Sequence, residues 1–237
     1  MASSRVIPRS QAARRSSQFL SRSRWFAISG ACTAIFLVDL LVVESNRLFD
    51  REELLRDHIF RAFHTALPFD ALPYLHAVSL VGVVDNPYTV ATGILAALLA
   101  IPSLLLSARR RIWSATLLLL SVLGSLALAD AIKKIVWRPG VHYGLGAHSF
   151  PSGHAAGSLA LFAAALFLLP GTTRRPLLAR TGAVIIIALA VLTGLSSLTF
   201  HYPSEVLGGY ALAGAWLTFL IGCLRDRLDR EPDAQGR

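Results

Sequence analysis

Long apolar runs alternate along this chain with short polar breaks, and the lengths of the runs set the first expectation. Six of them, 26–43, 87–107, 112–132, 154–170, 181–200 and 206–224, come near the roughly 20 residues that carry a helix across a hydrocarbon core of about 30 Å. Only helices can satisfy their own backbone in lipid at such a composition. The expected fold is therefore all-α, a six-transmembrane-helix bundle. A seventh apolar stretch, Ala71–Val84, is short and interrupted by Pro73, His76 and Gly82, which predicts a re-entrant or interfacial piece rather than a span. The segment Asn46–Ala66 has a different pattern. Leu48, Leu55, Ile59 and Phe63 recur at helical spacing, while Arg47, Asp50, Glu53, Arg56, Asp57 and Arg61 take other faces. That pattern predicts an interfacial amphipathic helix after the first span. A helix packed under a loop without lipid contact fits the same spacing, and in either case the segment reads as scaffold.

Composition agrees with the pattern. Over 237 residues, 54% are hydrophobic and 16% charged, with a mean hydropathy of +0.56. An ordinary soluble domain carries about 45–50% apolar and about 25% charged residues, so a soluble enzyme is excluded, and so is disorder over most of the length. The net charge is +9, and its distribution says more than its size. Sixteen of the 23 basic residues precede the first span, separate the second from the third and the fourth from the fifth, or follow the sixth. The positive-inside rule then places both termini in the cytoplasm and turns loops 44–86, 133–153 and 201–205 outward. The basic charge therefore reports topology and gives no reason to expect a nucleic-acid partner. The expected division is a cytoplasmic basic tail at 1–24, one integral-membrane domain at 25–224 and a cytoplasmic tail at 225–237. The N-terminal tail with its apolar run reads as a retained signal-anchor. Cys32 and Cys223 both fall inside spans and are assigned to packing. Asp39 lies in a span with no partner evident in the sequence, and Asp130 has Lys133 and Lys134 one turn away for an ion pair.

Candidate chemistry collects on the outward side. One loop reads Lys133-Lys-Ile-Val-Trp-Arg138-Pro139, then His142, His148 and Pro151-Ser152-Gly153-His154; the last short loop reads His201-Tyr-Pro-Ser-Glu205. Lysine and arginine also snorkel to interfaces and histidines decorate turns, but the whole set lies against the positive-inside bias. These residue types suit a phosphate ester. Arg138 offers a planar fork that matches phosphate oxygens, and Lys133 adds a point charge. Ser152 and Gly153 precede a helix, where backbone N–H groups bind anions. His201 and Glu205 are four apart, so one helical turn lets the carboxylate orient the imidazole. His154 can protonate a leaving oxygen.

These motifs resemble those of the type 2 phosphatidic acid phosphatase and haloperoxidase superfamily. Pro151-Ser152-Gly153-His154 is similar to its second signature. His201-Tyr-Pro-Ser-Glu205, followed by Val-Leu-Gly-Gly, resembles the third, and Lys133 to Arg138-Pro139 the first; together they cover about residues 75–224. The resemblance implies a membrane lipid phosphatase in which His201 attacks phosphorus, Glu205 orients it and His154 is the acid. Lys133, Arg138, Ser152 and Gly153 would hold the phosphate, with Lys134 and His148 as auxiliary candidates. It implies no metal or other cofactor, and a substrate such as phosphatidic acid, phosphatidylglycerol phosphate or a polyprenyl diphosphate. The implied location is a bacterial inner membrane with the active site on its outer, periplasmic face. The chain also departs from the pattern. The first motif, K-x6-R-P, would need an arginine at position 140 or 141, where Gly and Val stand, and reading Arg138 as its arginine puts the lysine position at Ala131. In the third motif, Ser197 of Gly194-Leu-Ser-Ser197 stands where arginine is usual, two residues are missing before His201, and the aspartate is Glu205. One or two of three expected cations are absent. Loss of one preorganised charge contact commonly costs about 3–4 kcal/mol of transition-state stabilisation. The alternatives to a hydrolase are an impaired relative that binds lipid phosphate or a partner protein, and a lipid phosphotransferase. A vanadate-dependent haloperoxidase needs a fuller set of cations.

Overall fold

The structure, a computed structural model, describes residues 20–45, 49–66, 108–136, 138, 148–168, 176–198 and 201–229. The expected span at 87–107, the stretch 71–84, His142, and most of both tails lie outside them. Six helices are present among the described residues: α1 Arg22–Ser45, α2 Phe49–Ala66, α3 Ala108–Lys133, α4 Gly153–Leu168, α5 Pro176–Ser197 and α6 Pro203–Asp229. The one bridge recorded there, between Arg138 and His148, is isolated, so the all-α expectation holds for what is described.

Three of these helices are long and apolar enough to cross a bilayer: Arg22–Ser45 with 24 residues, Ile112–Lys133 with 22 and Pro203–Leu228 with 26. At 1.5 Å per residue they measure about 36, 33 and 39 Å, against about 30 Å of hydrocarbon. α4 has 16 residues, about 24 Å, and falls short of that thickness on its own. The count of six spans is thus met by three among the described residues.

α6 is the central helix, packed against α1, α3 and α4, while α5 lies on α4 and α2 touches α6. Leu117, Leu118, Val122 and Leu126 of α3 meet Ala156, Ala160 and Ala164 of α4 and Leu217, Leu220 and Ile221 of α6 in one core. The alanines let the helices approach closely, which is how helices associate where lipid supplies no hydrophobic drive. The outer faces are apolar too: Val38 and Leu41 of α1 are 62% and 69% exposed, and Val184 and Ile187 of α5 are similarly open.

Chain direction brings specific helix ends together. The last turns of α1, α3 and α5 and the first turns of α4 and α6 share one end of the bundle. At the other end Arg22 of α1 pairs with Asp226 of α6 at 4.0 Å, and Phe26 lies beside Gly222. The start of α1 and the end of α6 therefore sit together, opposite the residues that carry the motifs.

Candidate active site

Pro203 opens α6, a position where its missing N–H costs nothing, and a turn closed by the His201 amide on the Ser197 carbonyl (2.9 Å) leads into it. Glu205 follows in the first turn of α6, where the helix dipole favours a carboxylate. Four-residue spacing across this turn puts His201 Nδ1 2.8 Å from Glu205 Oε2. Glu205 is fully buried. A buried carboxylate is tolerated only with several partners, and it has them. Ser149 Oγ donates to Oε1 at 2.6 Å, the Tyr202 amide donates to Oε2 at 3.3 Å, and Arg138 Nε stands 3.2 Å from Oε1.

The start of α4 lies against this turn. Ser152 caps the helix: its Oγ accepts from the Ala155 amide at 3.3 Å and its carbonyl from the Ala156 amide at 3.0 Å. The Ser152 amide is itself committed, donating to the Glu205 carbonyl at 2.8 Å. Helix starts leave their first N–H groups unsatisfied. Here the amides of Gly153 and His154 have no partner among the described residues, whereas the Ser152 amide, expected to share in holding an anion, is taken by the Glu205 carbonyl. The two starts touch because of Gly209. A Cβ there would sit 2.4 Å from the Ser152 carbonyl oxygen, so only glycine permits this backbone contact. Lys133, at the end of α3, lies over the same turn, its Nζ 3.7 Å from where a Gly153 Cβ would be. The rings of His154 and His201 meet edge-on, with centroids 5.7 Å apart and planes inclined at 60°. Lys133, Gly153, His154, His201 and Glu205 are thus brought together as the sequence implies.

Arg138 is placed differently from a free phosphate fork. It is 5% exposed; one terminal nitrogen donates to Ser204 Oγ at 2.8 Å, the other pairs with Glu52 of α2, and Nε faces Glu205. Its guanidinium lies 5.0 Å from the Tyr202 ring centroid, with Arg56 of α2 near the same ring at 5.8 Å. Burial, with Glu53 nearby, pushes the Tyr202 phenol above its ordinary value, so the ring stays neutral between the two cations. The reading of 46–66 as pure scaffold is corrected here. Glu52, Arg56 and Ile59 form one inward face of α2, Ile59 packing with Ala155, Leu198 and Val206, while Leu54 and Leu55 are exposed.

The remaining candidates lie outside this cluster's contacts. Lys134 is exposed. His148 is exposed too, its Nδ1 3.4 Å from the Val136 carbonyl, and the neighbouring Ser149 amide closes the loop on the Arg138 carbonyl at 3.2 Å. Ser197, standing in the arginine position, spends its hydroxyl on the Thr193 carbonyl at 2.7 Å. Asp39, unpartnered in the sequence, is buried beside Gly208 and Phe150, within electrostatic reach of Glu52, Arg138 and Glu205. Glu52, Ser149, Ser204 and Tyr202 escaped the sequence reading, and Asp39 was noted there without a partner. Tyr202 and Ser204 sat inside the third motif. For Glu52 the available signal was the 52, 56, 59 spacing of one α2 face.

Comparison with known proteins fits this geometry. Residues 114–229 match the sequence model of the PAP2 superfamily. Among solved structures, the fold is similar to that described as the first transmembrane PAP2 type phosphatidylglycerolphosphate phosphatase, from Bacillus subtilis. The TM-score is 0.62 at 22% identity, covering 86% of this chain and 99% of that one. A search of the curated proteins finds no match.

Proposed function

Residues 114–229 belong to the PAP2 superfamily, and from that premise we propose that the chain is an integral-membrane lipid phosphatase. It hydrolyses a lipid phosphate monoester or diphosphate through a phosphohistidine on His201. The observation that carries this is the buried His201–Glu205 pair facing His154 at the start of α4.

With Nδ1–H given to Glu205, the Nε2 lone pair of His201 is free to attack phosphorus. As the N–P bond forms, the P–O bond to the lipid breaks, and His154, which becomes the imidazolium when the anionic phosphate binds beside it, gives its proton to the departing oxygen. Water then attacks the phosphohistidine, His154 takes a proton from it, the P–N bond breaks and inorganic phosphate leaves. Lys133 and the Gly153 and His154 amides stabilise the phosphoryl oxygens as charge shifts onto them, and Arg138 adds its guanidinium. Phosphatidylglycerol phosphate is the first substrate to try, since the similar fold carries that activity; phosphatidic acid and a polyprenyl diphosphate follow. The site faces outward from an inner membrane with both termini cytoplasmic. The charge pattern supports that, as does the grouping of the α1 start with the α6 end away from the site.

A second reading, an impaired relative that binds lipid phosphate or a partner protein, draws on one observation: the arginine position is Ser197, its hydroxyl turned to Thr193. Phosphate release by the purified chain in detergent separates the two, with His201→Ala as the blank. Release from at least one lipid, lost in the variant, is the expected result. No release from any of the three lipids by the folded protein would refute the hydrolase, and phosphate appearing on an acceptor other than water would make it a phosphotransferase.

A further inference from the structure

We propose that Glu52 holds the place of the substrate on Arg138: its carboxylate occupies the phosphate-binding guanidinium until the lipid phosphate displaces it. This rests on the reading of Arg138 as a phosphate ligand. Of the groups on that guanidinium, Ser204 and Glu205 both belong to the first turn of α6, and Glu205 is further fixed by His201, Ser149 and the Tyr202 amide. Glu52, in contrast, comes from α2. That element is held lightly. Among the described residues its buried apolar contact is Ile59 on the Ala155, Leu198 and Val206 cluster, and the rest of its docking is polar, Glu52 on Arg138 and Arg56 over Tyr202. Segments with few buried apolar contacts open at low cost.

Charge makes the exchange necessary. With Glu52 and Glu205 both on Arg138, and Asp39 within electrostatic reach, the guanidinium has no net positive charge to offer a dianionic phosphate. Departure of Glu52 removes one of the two carboxylates and uncovers one edge of the guanidinium, so that one anion replaces another on a fork suited to both. Because Glu52 and phosphate compete for one group, they are negatively coupled, and couplings of this kind commonly run from about 5- to about 150-fold in affinity.

The test uses the full-length chain in detergent and inorganic phosphate as the probe, with affinity read by isothermal titration calorimetry so that no turnover is needed. Glu52→Gln keeps the shape and removes the charge, and should bind phosphate at least about fivefold more tightly. In an Arg138→Gln background the same change should have no effect. Equal or weaker binding by Glu52→Gln would overturn the proposal and leave Glu52 as a structural partner of Arg138. A second measurement needs no variant: saturating phosphate should speed amide hydrogen exchange in Phe49–Ala66 of the wild-type chain, and slowed or unchanged exchange would overturn the proposal independently. A chain that binds phosphate in this way yet releases none from any lipid would refute the phosphatase reading and spare this one.

Discussion

Glu205→Gln is the substitution that most directly tests the pair on which the proposed chemistry turns. The amide keeps the size of the side chain and an oxygen for His201 Nδ1–H, so what it removes is the negative charge. As His201 attacks phosphorus its ring becomes cationic, and that charge develops beside a carboxylate oxygen 2.8 Å from Nδ1. With charge centres about 4 Å apart and an effective dielectric of about 20, the attraction is about 4 kcal/mol. At about 1.4 kcal/mol per decade that is nearly a thousandfold in rate. Arg138, 3.2 Å from the other carboxylate oxygen, offsets part of Glu205's charge already, which brings the expected loss in kcat to about 10²–10³. The loss should fall on kcat with KM shifted less than about threefold, since the cation on His201 exists in the transition state and not in the bound substrate. Initial rates of phosphate release across a range of lipid concentrations give both constants, and a thermal melt of each detergent-solubilised protein checks the fold. A kcat within tenfold of wild type in a folded variant would mean that Glu205 does not support a cationic intermediate on His201.

Arg138→Lys keeps the charge but cannot reach Ser204, Glu52 and Glu205 at once, so kcat/KM should fall by about tenfold or more; wild-type kinetics would take Arg138 out of the site. Gly209→Ala would put a methyl 2.4 Å from the Ser152 carbonyl oxygen and 3.0 Å from the Ala155 Cβ, and should destabilise the protein by about 1–3 kcal/mol. Its thermal midpoint should drop and, since the displaced turn carries His154, so should kcat. An unchanged midpoint would show that α4 and α6 do not meet at backbone distance there.

Much of this was legible in the chain because it is local. The spans Arg22–Ser45, Ile112–Lys133 and Pro203–Leu228 follow from runs of apolar residues, and the His201–Glu205 contact from a four-residue spacing across one turn. The start of α4 at Gly153 follows from that glycine standing before an apolar run. What was not legible depends on meetings between distant segments. Glu52 reaches Arg138 across 86 residues; the 52, 56, 59 spacing sets it on a different face from the exposed Glu53, but does not say what that face meets. Asp39 gained its neighbours in the same way, since only the packing of α1 on α6 sets it beside Gly208. The Ser152 amide was misjudged for a related reason: it was free to cradle an anion until the Glu205 carbonyl, 53 residues on, took it.

The charge balance of the site then bears on the missing arginine. A phosphate monoester brings about −1.5 to −2, and the start of α4 contributes about +0.5. Among the described residues Lys133 is the remaining cation close to that turn, because Arg138 is matched by Glu52 and Glu205 and Ser197 brings no charge. While Glu52 is seated, Arg138 is over-matched by two carboxylates; on the proposed exchange its departure leaves Arg138 balanced by Glu205, with one edge of the fork open to the phosphate. Restoring an arginine at position 197 would leave Arg138 neutralised as before, whereas removing the carboxylate at 52 changes the guanidinium already in place. On the proposed exchange, affinity for phosphate turns on the occupied arginine more than on the absent one.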